Sequence, residues 1–159
     1  MNELMVVDDI DIDAPAERVW DVLTQPAFTQ QYLFGCVPES DWKRGSPLLW
    51  KGAADGHLYV KGCVVAIDPP RRLEYTVLGA DMRLADVPEN YLTIVCTVEA
   101  RGEGTANLRL SMGDFNAVGE GRKRYDETIA GGGWVPMLKK MKELAESGSL
   151  NRDTATPAR

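Results

Sequence analysis

The chain has 159 residues, a hydrophobic fraction of 44%, a charged fraction of 26% and three cysteines. That length suits one domain, able to bury roughly 70% of the surface its unfolded chain exposes, so neither a metal nor a disulfide is needed as a staple. A formal net charge of -6 gives no basic footprint for phosphate backbones and excludes nucleic acid as the expected partner.

The amino-terminal MNELMVVDDI has neither a basic n-region nor an apolar h-region of about 7–15 residues, and does not read as a secretory signal. No stretch approaches the roughly 18–20 apolar residues that span a bilayer, so a cytoplasmic protein without membrane insertion is expected. Leu4 to Ile12 alternates and reads as a first strand. Pro15 suits the first position of a helix, because its missing N–H is one of the orphan donors there. Glu17 adds a favourable negative charge in the first turn. Ala16, Val19, Trp20 and Leu23 fall on one helical face, and this helix is expected to run to about Thr24. Pro26 starts a second short helix, PAFTQQYLF, which Gly35 ends.

From Val37 to Met112 the pattern is that of antiparallel strands. ESDWKRGSPLLWKG carries turn chemistry at Arg44-Gly45-Ser46-Pro47 between two tryptophan-bearing segments and reads as a hairpin. HLYVKGCVVAID and LEYTVLGA are strands around DPPRR, where the paired prolines remove two backbone donors and call for a loop. DMRLADVPEN reads as a longer connection. YLTIVCTVEA and TANLRLSMGD form a hairpin about Arg101-Gly102-Glu103-Gly104. Leu92, Ile94, Cys96 and Val98 share one face of their strand, as do Leu108, Leu110 and Met112 of theirs.

The preceding NAVGEGRKRYDETIA belongs with the helical carboxy-terminal region, where GGGWVPMLKKMKELAES sets Trp134, Met137, Leu138, Met141, Leu144 and Ala145 on one apolar stripe. Pro136 would clash with the carbonyl of Gly132, which predicts an interruption around Gly131 to Pro136. The order is strand, two helices, about six strands, long helix. It makes an α+β domain over residues 1–147, followed by a flexible tail over 148–159.

No catalytic constellation stands out. His57 is the single histidine, beside Asp55-Gly56 at a strand start, and a general base would need a partner within hydrogen-bond reach. HExxH, GxSxG and P-loop patterns are missing, and no metal or cofactor is expected. Cys36, Cys63 and Cys96 form no CxxC pair and read as reduced, mostly buried thiols. Arg122-Lys123-Arg124 reads as a solvated helix face. Glu74 and Arg109 interrupt apolar strands; turned inward they are polar anchors for a ligand, turned outward they are ordinary strand-face charges, and the pattern leaves both open. Trp42, Trp50, Tyr59, Tyr75, Tyr91 and Trp134 are expected on strands or the terminal helix, where aromatic rings bury large areas.

IDAPAERVWDVLTQP resembles the opening of the START-like, or SRPBCC, superfamily, in particular the activator of heat-shock-protein-90 ATPase homologue-like branch. GCVVAIDPPRRLEYTV resembles that branch's strand, proline turn and strand, and GGGWVPMLKKMKELAES its terminal Gly-Trp helix. The resemblance covers about Leu4 to Glu146. It implies the helix-grip fold, a curved antiparallel sheet of six to seven strands wrapped around a long carboxy-terminal helix, with two short helices after the first strand. It further implies an apolar cavity between sheet and helix, closed at one end by those short helices.

On strand alternation and helix face, the expected lining of that cavity is Trp50, Tyr75, Tyr91, Cys96, Leu110, Met112, Trp134, Leu138 and Met141, with Tyr32 and Phe34 at its entrance. The expected function is binding of a hydrophobic or aromatic small molecule there. Two alternatives stay open. One is a cavity enzyme of the cyclase, dehydratase or hydrolase type, with His57, Glu74 or Tyr91 as acid or base. The other is a chaperone-accessory or stress-response interaction module. A homodimer is compatible with either.

Overall fold

A computed structural model describes residues 4–80 and 84–155, with 148–155 as backbone only. Seven strands form one antiparallel sheet in the order β1-β7-β6-β5-β4-β3-β2. They are β1 (Val6–Ile12), β2 (Cys36–Glu39), β3 (Pro47–Gly52), β4 (Leu58–Asp68), β5 (Arg72–Gly79), β6 (Leu92–Ala100) and β7 (Ala106–Gly113). The chain leaves β1 at one edge and returns as β2 at the other. Helices α1 (Ala16–Thr24) and α2 (Pro26–Tyr32) make that crossing. After β7 come α3 (Gly121–Ala130) and the long α4 (Val135–Ala155). This is the helix-grip arrangement.

Register explains why one face is apolar. In the β6–β7 pair, Ile94 stands opposite Met112, Cys96 opposite Leu110 and Val98 opposite Leu108. Directly opposed residues share a sheet face, so the two alternating runs merge into a single apolar surface. The β5–β6 register continues it, setting Leu73 against Cys96 and Tyr75 against Ile94. Leu48, Leu108 and Leu110 are completely buried, each contributing about 1.5–3 kcal/mol by removal from water. Register slips between Trp50 and Lys51 and between Val64 and Ala66 mark bulges, which bend strands and increase twist. They curl the β3–β5 region.

The edges of the sheet are blunted. β2 is four residues long and contains Pro38, while β1 reads VVDDIDI; a short, proline-bearing edge and an acidic one both discourage pairing with another chain.

α4 is tied to β1 by specific hydrogen bonds. Trp134 donates its indole N–H to the Val6 carbonyl at 3.2 Å and its backbone N–H to Asp8 Oδ2 at 3.1 Å. Lys142 Nζ donates to the Asp11 carbonyl at 3.0 Å, and Glu146 Oε2 accepts from both Lys142 Nζ and the Asp13 backbone N–H. Arg18 on α1 joins the same junction, its Nε 3.4 Å from the Ala145 carbonyl and its guanidinium 4.6 Å over the Phe28 ring.

Several boundaries differ from expectation for identifiable reasons. Pro15 is the N-cap of α1, with ψ 158°, and the helix begins at Ala16. The buried face of α1 is centred on Val19, Val22 and Leu23, with Trp20 at its flank, since a ring that large seldom leaves solvent entirely. α2 stops at Tyr32 because Phe34 and Gly35 take positive φ, 53° and 79°. Trp42 lies in the β2–β3 connection with φ 56° rather than on a strand.

The expected interruption before Pro136 is present: α3 ends at Ala130, Gly132 and Gly133 have φ 98° and 62°, and α4 starts at Val135. Pro136 thereby falls in a first turn, where no intrahelical partner is lost. The backbone of α4 continues to Ala155, beyond the Ser147 boundary expected for a flexible tail. Gly148 lowers helix propensity by about 1 kcal/mol but is no stop by itself. Within DMRLADVPEN, residues 81–83 lie outside the described part, and a short 3-10 turn occupies Pro88–Asn90.

Candidate functional site: a cavity between sheet and helix

The apolar sheet face and α4 do not meet everywhere. Between them lies a cavity of about 650 Å³. The sheet supplies Trp50 from β3, Val60 from β4, Tyr75 and Val77 from β5, Ile94 and Cys96 from β6, and Leu110 and Met112 from β7. Trp134, Met137 and Met141 close the helix side, spaced at i, i+3 and i+7 so that they share one face. Leu23 of α1 and Tyr32 of α2 close one end. Phe34 and Tyr59 stand at the mouth, 89% and 39% exposed.

The mouth and the end wall are built by local backbone choices. The left-handed conformation at Phe34 is uncommon for a non-glycine residue and leaves its ring exposed beside the cavity. Asp55 accepts a hydrogen bond from the Tyr59 hydroxyl at 2.6 Å and from the His57 backbone N–H at 3.0 Å, and these bonds lower its carboxyl pKa. In α2, Thr29 and Tyr32 are the buried residues. The Thr29 hydroxyl donates to the Cys36 carbonyl at 3.0 Å and the Tyr32 hydroxyl to the Val22 carbonyl at 2.8 Å.

The interior is neutral. Among the described residues that line it there is no Asp, Glu, Lys, Arg or His. Burial pushes the Cys96 thiol up to about 12. The Tyr32 phenol is raised well above its ordinary value by burial and then by Cys96, and the Tyr75 phenol by burial, then Cys96, then Tyr32. The Cys36 thiol is raised too, by burial and then by Asp55. Each of these groups therefore stays protonated at neutral pH. All three cysteines are free.

Most expected lining residues meet here: Trp50, Tyr75, Cys96, Leu110, Met112, Trp134 and Met141. Tyr91 does not. The buried residues of β6 are Leu92, Ile94, Cys96 and Val98, so alternation turns position 91 to the other side, where its hydroxyl donates to Asp86 Oδ1 at 2.5 Å. Leu138 is buried in the packed core, off the face that Trp134, Met137 and Met141 present to the cavity. Tyr32 belongs to the inner wall rather than the entrance, being 8% exposed.

Met137, on the predicted inward stripe, also lines the wall, together with residues outside the expected lining, among them Leu23, Val60, Val77 and Ile94. Strand parity would have found Val77 and Ile94, because they alternate with Tyr75 and Cys96 on their own strands. Leu23 lies on the apolar face predicted for the first helix, whereas nothing in the local pattern marks Val60.

The polar residues weighed as acids or bases lie elsewhere. Glu74 alternates away from Tyr75 and pairs with Arg72 at 3.0 Å. His57 is exposed, its ring edge-on to Tyr59 with centroids 4.5 Å apart. Arg109 is exposed on the sheet's outer face, opposite Asp9 and Thr97. Arg124 departs from the solvated face expected for it: it is 9% exposed and donates to the Asn90 and Gly119 carbonyls.

Comparison with solved structures returns the same architecture. ChR145 from Cytophaga hutchinsonii is 29% identical, with 94% of this chain and 99% of that one covered at a TM-score of 0.69. PFC0360w, an HSP90 activator from Plasmodium falciparum, is 15% identical over 79% of this chain and 86% of that one, TM-score 0.59. DynU16, a protein of the dynemicin biosynthetic locus, is 16% identical over 92% of this chain and 49% of that one, TM-score 0.67. No curated protein matches the sequence. The family model described as activator of Hsp90 ATPase homolog 1-like protein matches residues 13–146, a span running from the turn before α1 to the Glu146 clamp on α4, and the chain belongs to that family.

Proposed function

We propose that this protein binds one hydrophobic or aromatic small molecule between the sheet and α4. The observation that carries the reading is the cavity itself: about 650 Å³, within the range of roughly 300–1,000 Å³ common for small-molecule sites. A wall this apolar offers water few of the polar partners it needs, and methionines at 112, 137 and 141 make it adaptable. Native mass spectrometry of gently purified protein tests the reading. A bound mass released on denaturation, or added hydrophobic dye retained one per chain, is the expected result; bare protein that retains no dye contradicts it.

Binding is favoured over catalysis in this cavity because His57, Glu74 and Tyr91 all lie outside its wall, and a general acid or base must come within hydrogen-bond reach of the reacting atom. A chaperone-accessory role draws its support from the family's description and from the Plasmodium neighbour, and no residue of the site speaks for it.

A further inference from the structure

The polar groups on the cavity's aromatic residues fall into two sets. Tyr32, Tyr59 and Trp134 have their donors committed, to the Val22 carbonyl at 2.8 Å, Asp55 Oδ2 at 2.6 Å and the Val6 carbonyl at 3.2 Å. The hydroxyl of Thr128 is likewise given to the Arg124 carbonyl at 2.8 Å. Tyr75 and Trp50 differ. Among the described residues neither the Tyr75 hydroxyl nor the Trp50 indole N–H has a hydrogen-bond partner, although both side chains lie within the same wall with ring centroids 6.1 Å apart. Trp50 is 5% exposed. Tyr75 sits at the middle of β5 on the apolar face, between Leu73 and Val77, both of which line the cavity as well.

A buried donor without an acceptor costs about 1–3 kcal/mol, and buried polar groups in native proteins are almost always paired. Trp50 is such a donor, the half-buried Tyr75 carries a second beside it in the same wall, and together they mark where an acceptor belongs. Among the described residues that line it, no side chain carries a charge to balance a charged guest. A carboxylate or ammonium brought inside would lose its hydration with no opposite charge on the wall. An ether, ester or ketone oxygen loses far less and gains a donor. The aromatic side chains around it offer edge and face contacts suited to a ring system.

We propose that the natural ligand is a neutral, ring-based molecule carrying a carbonyl-type oxygen, which accepts the hydrogen bond of the Tyr75 hydroxyl, with the Trp50 N–H as the second donor at that end of the cavity. This rests on the binding reading above and specifies its ligand class. Tyr75 fixes the ligand's orientation, and the methionines of α4 accommodate its outline.

The test uses the whole chain and three probes of closely matched shape: 2-isopropenylnaphthalene, 2-acetylnaphthalene and 2-naphthoate, each competed against the neutral dye Nile red. The ketone is expected to bind about tenfold more tightly than the hydrocarbon, the worth of one hydrogen bond of about 1.4 kcal/mol. The carboxylate is expected to bind more weakly than the ketone. Tyr75→Phe, with its fold checked by circular dichroism, is expected to erase most of the ketone's advantage over the isosteric hydrocarbon. Equal binding of ketone and hydrocarbon by the unaltered protein overturns the proposal without any variant, while leaving the binding reading intact. Carboxylate binding as tight as that of the ketone overturns it too, and points to an anion site. Failure of Nile red and every probe to bind overturns both the ligand class and the binding reading.

Discussion

Two tyrosines of the cavity wall differ by one hydrogen bond, and that difference is measurable. The Tyr32 hydroxyl donates to the Val22 carbonyl at 2.8 Å, so Tyr32→Phe is expected to cost about 1 kcal/mol. The half-buried Tyr75 has no such partner among the described residues, and Tyr75→Phe is expected to leave the ligand-free protein about as stable. Calorimetry of both variants checks this; equal losses would contradict it. Cys96 makes a second prediction, in alkali. Its thiol ionises near 9 in the unfolded chain and is held up to about 12 when folded. Between those values the folded state binds the extra proton, so stability present below about pH 9 is lost as pH rises, at about 1.4 kcal/mol per unit for this group. Urea unfolding of the native protein and of Cys96→Ala at about pH 8.5 and pH 10 should therefore show the gap between them narrowing by about 1 kcal/mol. A constant gap would refute the burial of that thiol.

At the scale of elements, the junction between β1 and α4 is held by directed side-chain hydrogen bonds. Asp8 Oδ2 accepts the Trp134 backbone N–H in front of α4, placing an acceptor and a negative charge at a helix start. Asp8→Ala is expected to lower stability by about 1 kcal/mol, with Asp8→Asn recovering the larger part because it keeps an acceptor; an unchanged urea midpoint for Asp8→Ala would exclude this role. That contact joins residues far apart in the chain, and no local pattern announces it. What local pattern does announce is the element itself: the stripe from Trp134 to Ala145 predicts α4 and its inward face correctly, and Pro136 correctly predicts the break before it. The same kind of reasoning misplaces Tyr91, because residue type was weighed there ahead of strand parity, and Leu92 at the next position already pointed inward. It also misses the burial of Arg124. A basic triplet looks like a solvated face until the Asn90 and Gly119 carbonyls are brought to it by the fold.

For the whole molecule, the family and the helix-grip architecture were legible from three short motifs in the right order, and the apolar residues of the cavity wall mostly from alternation. The cavity was not legible in that way. The same residues at the same periodicity would serve equally well in a filled core; whether a space of about 650 Å³ is left depends on how the β3–β5 region curls and where the β1 hydrogen bonds seat α4. The most direct measurement is a Nile red titration of the native protein beside Cys96→Phe, which projects a ring into the cavity from the middle of β6. Saturable, one-to-one binding with blue-shifted emission is predicted for the native chain, weakened by about tenfold in a folded Cys96→Phe protein, since the added ring takes space and wall contacts from the guest. Absence of saturable binding by the native chain, or equal binding by the two, would contradict the account.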